Sequence, residues 1–233
     1  MRKLTSYAIE SGQIRDLLAK LVDGSTGIQE YKSCFYELGM ALSALIWRTQ
    51  ALGDGTRVTL ACSSEDADWL SKGILDDLQS RSVHPSLAVF WNLRNDPFDN
   101  RQYPVAPIVK SYIESSETTE VLIICKSIIS TSCVVRTNLT YLIEKINPSR
   151  IFIASPVLMG NAIESLKNEF PKAISEKFSF LYFAEDNEVN QAGEVIPGIG
   201  GSVYQRLGLE SGPAKNKYVP EIVKERRTQK AKL

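Results

Sequence analysis

Short apolar runs alternate with amphipathic helical patterns along most of this 233-residue chain. Apolar runs of strand length occupy residues 57–62, 86–91, 121–125, 150–154 and 178–183. Apolar residues at helical spacing lie between several of these runs, at 66–78, 137–146 and 160–170. Because neighbouring parallel strands need a crossover helix, this order predicts an α/β fold whose mostly parallel central sheet has helices on both faces. Ligands of such sheets bind beyond the carboxyl ends of the strands, so we expect the loops after Leu60, Ile124 and Ala154 to determine function.

The amino-terminal part of the chain, to about residue 50, is predicted to be a helical entry to the sheet. Apolar side chains recur at helical spacing on both sides of the turn Gly24–Ser25–Thr26–Gly27, which separates two helices. No linker long enough to divide the chain follows. We therefore expect one domain over residues 1–214.

Residues 215–233 form a basic tail with seven Lys or Arg and two Glu, a net charge of five positive. One interpretation is a solvated end. In the other, the tail docks on a partner while its basic residues meet an acidic protein or a nucleic-acid backbone. The apolar residues available for docking are Tyr218, Val219, Ile222 and Val223. Because the predicted sheet is complete before residue 215, we expect deletion of the tail to leave the fold intact.

The charge balance and the cysteine positions indicate which partners, cell compartment and metal sites to expect. The chain has 27 basic and 27 acidic residues, so no global field attracts nucleic acid or membrane. No apolar run approaches the roughly 20 residues that span a bilayer, and we expect a cytoplasmic protein with reduced thiols. The four cysteines lack metal-ligand spacing and the single histidine is His84, so no metal site is predicted.

Two segments carry a resemblance to a known family. Residues 121–133, Val-Leu-Ile-Ile-Cys-Lys-Ser-Ile-Ile-Ser-Thr-Ser-Cys, read as a buried strand, a loop of small residues and a helix start. This stretch resembles the phosphoribosyl-pyrophosphate motif of type I phosphoribosyltransferases. Residues 196–200, Ile-Pro-Gly-Ile-Gly, followed by Arg206-Leu207-Gly208, are similar to the late segment of the uracil branch of that family. The order of these elements over residues 1–210 matches that branch.

The resemblance implies a set of ligand-binding residues. The Ser/Thr loop would hold a 5′-phosphate at a helix amino terminus, and the late segment would bind the edge of the base. The phosphate residues implied are Lys126, Ser130, Thr131, Ser132 and Arg94, and the base residues are Ile196, Gly198 and Gly200. Lys126 has the alternative interpretation of a surface lysine.

Three positions depart from the family pattern. Cys125 and Lys126 stand where the family has the acid that binds the ribose hydroxyls, and the loop after them lacks glycines. The first loop carries Glu65, Asp66 and Asp68 where the family has arginine and glycine beside pyrophosphate. These acids are expected to cap the following helix, or alternatively to bind a metal, and their charge is expected to weaken binding of phosphoribosyl pyrophosphate.

The sequence therefore predicts a uracil phosphoribosyltransferase-like protein that binds a nucleotide or another phosphorylated ligand, with phosphoribosyl transfer weak or lost. One alternative is an active transferase for uracil or another base that uses Mg²⁺, with Asp96 or Asp99 as substitute acids. The other is a subunit of a larger assembly that uses the fold as an interaction module. We also expect a homodimer or a hetero-assembly, as the resembling enzymes self-associate.

Overall fold

The computed structural model describes residues 1–53, 55–93, 95, 105–114, 118–209 and 215–230. Helices in these ranges are α1 (Ser6–Glu10), α2 (Gly12–Val22), α3 (Ile28–Arg48), α4 (Lys72–Ser80), α5 (Cys133–Ile143), α6 (Ala162–Asn168), α7 (Lys172–Ser175), α8 (Val203–Arg206) and α9 (Glu221–Lys230). Strands are β1 (Lys3–Leu4), β2 (Val58–Ser63), β3 (Ser86–Asn92), β4 (Ile108–Ile113), β5 (Val121–Cys125), β6 (Ile128–Ile129), β7 (Arg150–Ala154), β8 (Val157–Met159), β9 (Phe178–Leu181), β10 (Ala184–Asp186), β11 (Glu188–Val189) and β12 (Val195–Ile196).

The central sheet confirms the predicted α/β class. Within the described residues it has six strands in the order β4-β3-β2-β5-β7-β9. All neighbours are parallel except β4, which runs antiparallel to β3 at one edge. The prediction missed β4 because its middle residues, Val109, Lys110 and Ser111, are exposed and do not form an apolar run.

The two faces of the sheet bury two separate apolar cores. Side chains alternate along each strand, so Leu60 and Ile123 face one core while Ala61 and Ile124 face the other. The first core also receives helices α2, α3 and α4, and the second receives α5 and α6. Burial on both faces explains why β5 and β7 read as continuous apolar runs, and their predicted bounds are confirmed.

A smaller sheet lies beyond the carboxyl edge of the central one. Its order is β1-β10-β8-β6, and β6, β8 and β10 each follow a central strand after a few residues. This arrangement places the smaller sheet over the edge where the ligand loops were expected. Its strands are two or three residues long. Such strands are too short to show a periodic pattern, so the sequence did not reveal them.

Within the described part of the basic tail, residues 215–230, apolar side chains pack on the rest of the chain, so the interpretation of this part as a solvated end is wrong. In helix α9, Ile222 and Val223 are 3% and 0% exposed and belong to the first core. The indole N–H of Trp91 donates to Tyr218 O at 2.7 Å, and the Tyr218 ring stacks on Trp69. Residues that were candidates for docking on a partner are therefore occupied by the chain's own core. No helix in the described part of the chain is long and apolar enough to cross a membrane.

Candidate functional site

A cavity of about 630 Å³ opens at the carboxyl edge of the central sheet. One wall is the loop after β5 together with the start of α5, from Lys126 to Val135. The opposite walls are the β11–β12 hairpin and the segment from Ile199 to Tyr204. Drug-sized ligands occupy cavities of about 300–1,000 Å³, and the volume of this cavity lies in that range.

The wall formed by residues 130–132 leads directly into helix α5. Ser132 precedes the helix with φ of 53°, a left-handed conformation that glycine adopts more readily. Its hydroxyl donates to Glu169 Oε1 at 3.1 Å, which ties the loop to the end of α6. The amino terminus of an 11-residue helix favours a negative ligand group, and Ser130 and Thr131 add hydroxyls beside it.

A cluster of four buried charged side chains adjoins the cavity through Lys126, its one member among the described lining residues. We call it the ion cluster: Glu65, Asp66, Lys126 and Lys215. The Lys126 ammonium lies 2.7 Å from Asp66 Oδ2 and 3.1 Å from Glu65 Oε1. Lys215 Nζ lies 3.3 Å from Glu65 Oε2 on the other side. The backbone N–H of Ser127 donates to Asp66 Oδ1 at 3.1 Å, and the Ser63 hydroxyl donates to Asp66 Oδ2 at 2.6 Å.

These contacts keep the ion cluster charged although it is buried. Burial by itself would raise the pKa of Glu65, but attraction to Lys126 and Lys215 outweighs it and lowers that pKa to about 2. Burial would lower the pKa of Lys126, but Asp66 and Glu65 raise it above its ordinary value. The cluster thus pairs two basic side chains with two acidic ones, whose charges offset each other.

The acidic residues of the first loop, Glu65, Asp66 and Asp68, have contacts that differ from those expected from the sequence. Neither Glu65 nor Asp66 caps the helix that follows, because both bind lysines from elsewhere in the chain. Asp68 caps a distant helix instead: its carboxylate accepts the backbone N–H groups of Glu221 and Ile222 at 2.8 and 2.9 Å. The charges of Glu65 and Asp66 are compensated by Lys126 and Lys215, and weak binding of phosphoribosyl pyrophosphate stays a prediction.

The structure brings most of the predicted phosphate residues together. Lys126, Ser130, Thr131 and Ser132 all line the cavity. Lys126 is 9% exposed, so the alternative of a surface lysine is wrong. Arg94 lies outside the described residues.

The predicted base residues Ile196, Gly198 and Gly200 are not among the described residues that line the cavity. The neighbouring Ile199 and Gly201 line it instead.

The predicted base segment is held by the amino terminus of the chain. The Arg2 guanidinium donates to both carboxylate oxygens of Asp186, at 3.0 and 2.7 Å, and also to the carbonyl of Gly198. The N–H of Gly198 donates to Asp186 Oδ2 at 2.9 Å. Gly198 has φ of 54° and a Cβ there would meet Val195 O at 2.3 Å, so this turn requires glycine.

Several cavity residues were not predicted. Asn190 and Glu194 lie on the hairpin, and Tyr204 ends the last wall. Lys215 was not predicted either; it reaches the ion cluster from the tail. Lys215 follows the last family-like segment, and its neighbours in the sequence do not indicate that it is buried. Its partner is Glu65 of the first loop, and only the fold brings these two residues together.

No family model matches the chain, and no curated protein matches it in sequence. Solved structures similar to it are α/β proteins that include several phosphoribosyltransferases.

Three of these structures illustrate the range. Adenine phosphoribosyltransferase from Leishmania donovani has 12% identity and a TM-score of 0.47, covering 79% of this chain and 84% of that one. Hypoxanthine-guanine phosphoribosyltransferase from L. donovani has 9% identity and a TM-score of 0.41, covering 68% and 84%. Hypoxanthine phosphoribosyltransferase from Staphylococcus aureus has 16% identity and a TM-score of 0.38, and this match covers 55% of this chain and 65% of that one. At this distance the chemistry of the chain has to be deduced from its own residues.

Proposed function

We propose that this chain is a phosphoribosyltransferase-like protein that binds a nucleotide or a related sugar phosphate in the cavity and does not carry out efficient phosphoribosyl transfer. The observation that carries the proposal is the cavity itself, bounded by the Ser130–Ser132 loop at the start of α5. The phosphate would lie against this loop and helix terminus. The hairpin and the Ile199–Tyr204 segment would enclose the rest of the ligand.

The charges around the cavity argue against transfer. Phosphoribosyl transfer develops positive charge on the ribose, and a carboxylate near the ribose favours that transition state. In this chain the end of β5 presents Cys125 and Lys126 instead. Glu65 and Asp66 hold the ammonium of Lys126, so these two carboxylates are already paired and are not free to stabilise a cationic ribose.

Magnesium bound to pyrophosphate does not fit these residues. Mg²⁺ in such sites relies on oxygen ligands and on the substrate phosphates. The carboxylates of Glu65 and Asp66, which contact Lys126 just after β5, already bind lysine ammonium groups. A metal would have to displace Lys126 from both of them, so no step is assigned to the ion.

Calorimetry with uridine 5′-monophosphate, ribose 5-phosphate, uridine and inorganic phosphate tests the binding proposal. We expect the two phosphate esters to bind and uridine to bind far more weakly. The double variant Ser130→Ala/Thr131→Val should weaken the phosphate esters, since each lost hydrogen bond to a charged group contributes about 1.5–3 kcal/mol. Thr140→Ala is the control, because Thr140 is exposed on α5, the helix that follows the Ser130–Ser132 loop, and is not among the cavity residues. Equal binding of uridine and its monophosphate would contradict the proposal.

The transferase alternative is tested separately. The protein is incubated with phosphoribosyl pyrophosphate, Mg²⁺ and a panel of uracil, adenine, hypoxanthine and guanine, and pyrophosphate release is measured. We expect no base-dependent release above a heat-inactivated control. Release with uracil alone would support the active uracil enzyme, and release with another base would support a transferase of different specificity.

A further inference from the structure

Lys215, which the tail contributes, contacts two side chains at the cavity wall. Its ammonium donates to the hydroxyl of Tyr204 at 3.2 Å and lies 4.7 Å from the centre of that ring. On its other side it lies 3.3 Å from both carboxylate oxygens of Glu65, and Glu65 in turn holds Lys126. Tyr204 and Lys126 both line the cavity, so one buried ammonium group joins two of its walls.

The segment that carries Lys215 is anchored at the same loop. Asp68 lies three positions after Glu65 and accepts the backbone N–H groups of Glu221 and Ile222 and the hydroxyl of Tyr218. Ile222 and Val223 then pack in the first core. Two carboxylates of one loop therefore fix the tail, Glu65 at Lys215 and Asp68 at the start of α9.

We propose that the docked tail is part of the ligand site, with Lys215 as a positioning residue that fixes Tyr204 directly and Lys126 through Glu65. This inference rests on the proposed ligand-binding function of the cavity. The ligand would contact Tyr204 and Lys126, while Lys215 would act through them.

The physical reason is the charge balance of the ion cluster. Without Lys215, Glu65 and Asp66 share one cation, and Lys126 has to satisfy both carboxylates. Tyr204 would also lose a buried hydrogen-bond donor. Both changes free a cavity side chain to adopt other positions, and a ligand that needs one arrangement then has to restrict them.

The test compares Lys215→Met with Lys217→Met in the full-length protein. Lys217 is exposed in the same segment, so its variant removes the same charge without touching the ion cluster. Amide hydrogen exchange of the ligand-free proteins is followed in peptides covering residues 126–135 and 199–207. Lys215→Met should speed exchange in both peptides by about fivefold or more, and Lys217→Met should not. Affinity for uridine 5′-monophosphate should fall by a similar factor in Lys215→Met alone.

A double variant separates positioning from general damage to the fold. Glu65→Gln/Lys215→Met removes the uncompensated carboxylate and leaves Lys126 paired with Asp66. Exchange at 126–135 should return toward that of the native protein, while exchange at 199–207 stays fast because Tyr204 still lacks its donor. A general loss of stability would speed exchange in both peptides and be relieved in both.

Asp68→Asn provides a second route in case Lys215→Met does not fold. It weakens the anchor of the tail while keeping Lys215, and we expect the same two peptides to exchange faster. Unchanged exchange in both variants would overturn the inference. If the variants show the expected exchange pattern but the native protein binds no phosphate ester, the proposed function is contradicted. The positioning role of Lys215 is still supported in that case.

Discussion

The ammonium nitrogen of Lys126 lies 2.7 Å from Asp66 Oδ2, and their side chains are only 11% and 1% exposed. Lys126 directly follows the last residue of β5, and Asp66 lies in the segment after β2, 60 positions earlier in the chain. Loss of either side chain would remove the closest counter-ion of a buried charge, which is costly. Lys126 and Asp66 therefore stabilise each other, since each supplies a counter-ion to the other.

This pairing predicts the effect of removing Lys126. Lys126→Met leaves Glu65 and Asp66 with Lys215 as their only cluster cation, and we expect a loss of about 3–5 kcal/mol in the free energy of unfolding. Urea denaturation monitored by circular dichroism measures it. Lys126→Met/Asp66→Asn should lose clearly less, because the charge balance is restored.

The control for that prediction is Lys72→Met. Lys72 pairs with Asp76 in a partly exposed i,i+4 contact at 2.6 Å, and such pairs contribute about 0.5 kcal/mol. If Lys126→Met were no more harmful than Lys72→Met, the ion cluster would not contribute to stability as inferred.

The lowered pKa of Glu65 predicts how stability depends on pH. Its pKa is about 2 in the folded protein against an ordinary 4.5, so the folded state holds this carboxylate in its charged form. The resulting stabilisation is fully present above pH of about 4.5 and is lost as pH falls toward 2. Unfolding free energy measured over this window should fall by up to about 1.4 kcal/mol per pH unit on account of this group. Glu65→Gln should flatten the slope; an unchanged slope would contradict the assignment.

The packed tail reverses the expected outcome of truncation. Deleting residues 215–233 removes Ile222 and Val223 from the first core and Lys215 from the ion cluster, so we now expect a lower melting temperature. The single variant Ile222→Ala should lose about 2–5 kcal/mol, as for other buried aliphatic side chains. Gln229→Ala, at an exposed position of the same helix, should stay within about 0.5 kcal/mol. A truncated chain that melts with the full-length protein would restore the solvated-end interpretation.

Helices α3 and α4 cross where two glycines let their backbones touch. A Cβ at Gly39 would lie 2.1 Å from Leu70 O, and a Cβ at Gly73 would lie 2.0 Å from Tyr36 O. Gly39→Ala should therefore cost about 1–3 kcal/mol through overpacking, although alanine is the better helix former. Gly24→Ala is the control, because a Cβ there meets nothing within 4 Å. Thermal denaturation of both variants checks the difference, and a more stable Gly39→Ala would contradict the close approach.

The sequence by itself determined the five parallel strands of the central sheet and the helical segments between several of them, but not the edge strand β4. Strands β5 and β7 are buried on both faces and so carry an unbroken apolar run, which the amino-acid pattern records directly. The Ser130–Ser132 loop could be placed at the edge of the sheet for the same reason, because it follows such a strand.

Only the tertiary structure decided what the charged residues do. Glu65 contacts Lys126, which is 61 positions away along the chain, and Lys215, which is 150 positions away. A buried charge is stabilised by the partner that replaces its hydrating water, and that partner is set by the fold. Nothing in the local pattern of Lys215 or Ile222 distinguishes a solvated tail from a docked one. That distinction depends on Asp68 and the first core, which lie next to the tail in space and far from it in sequence.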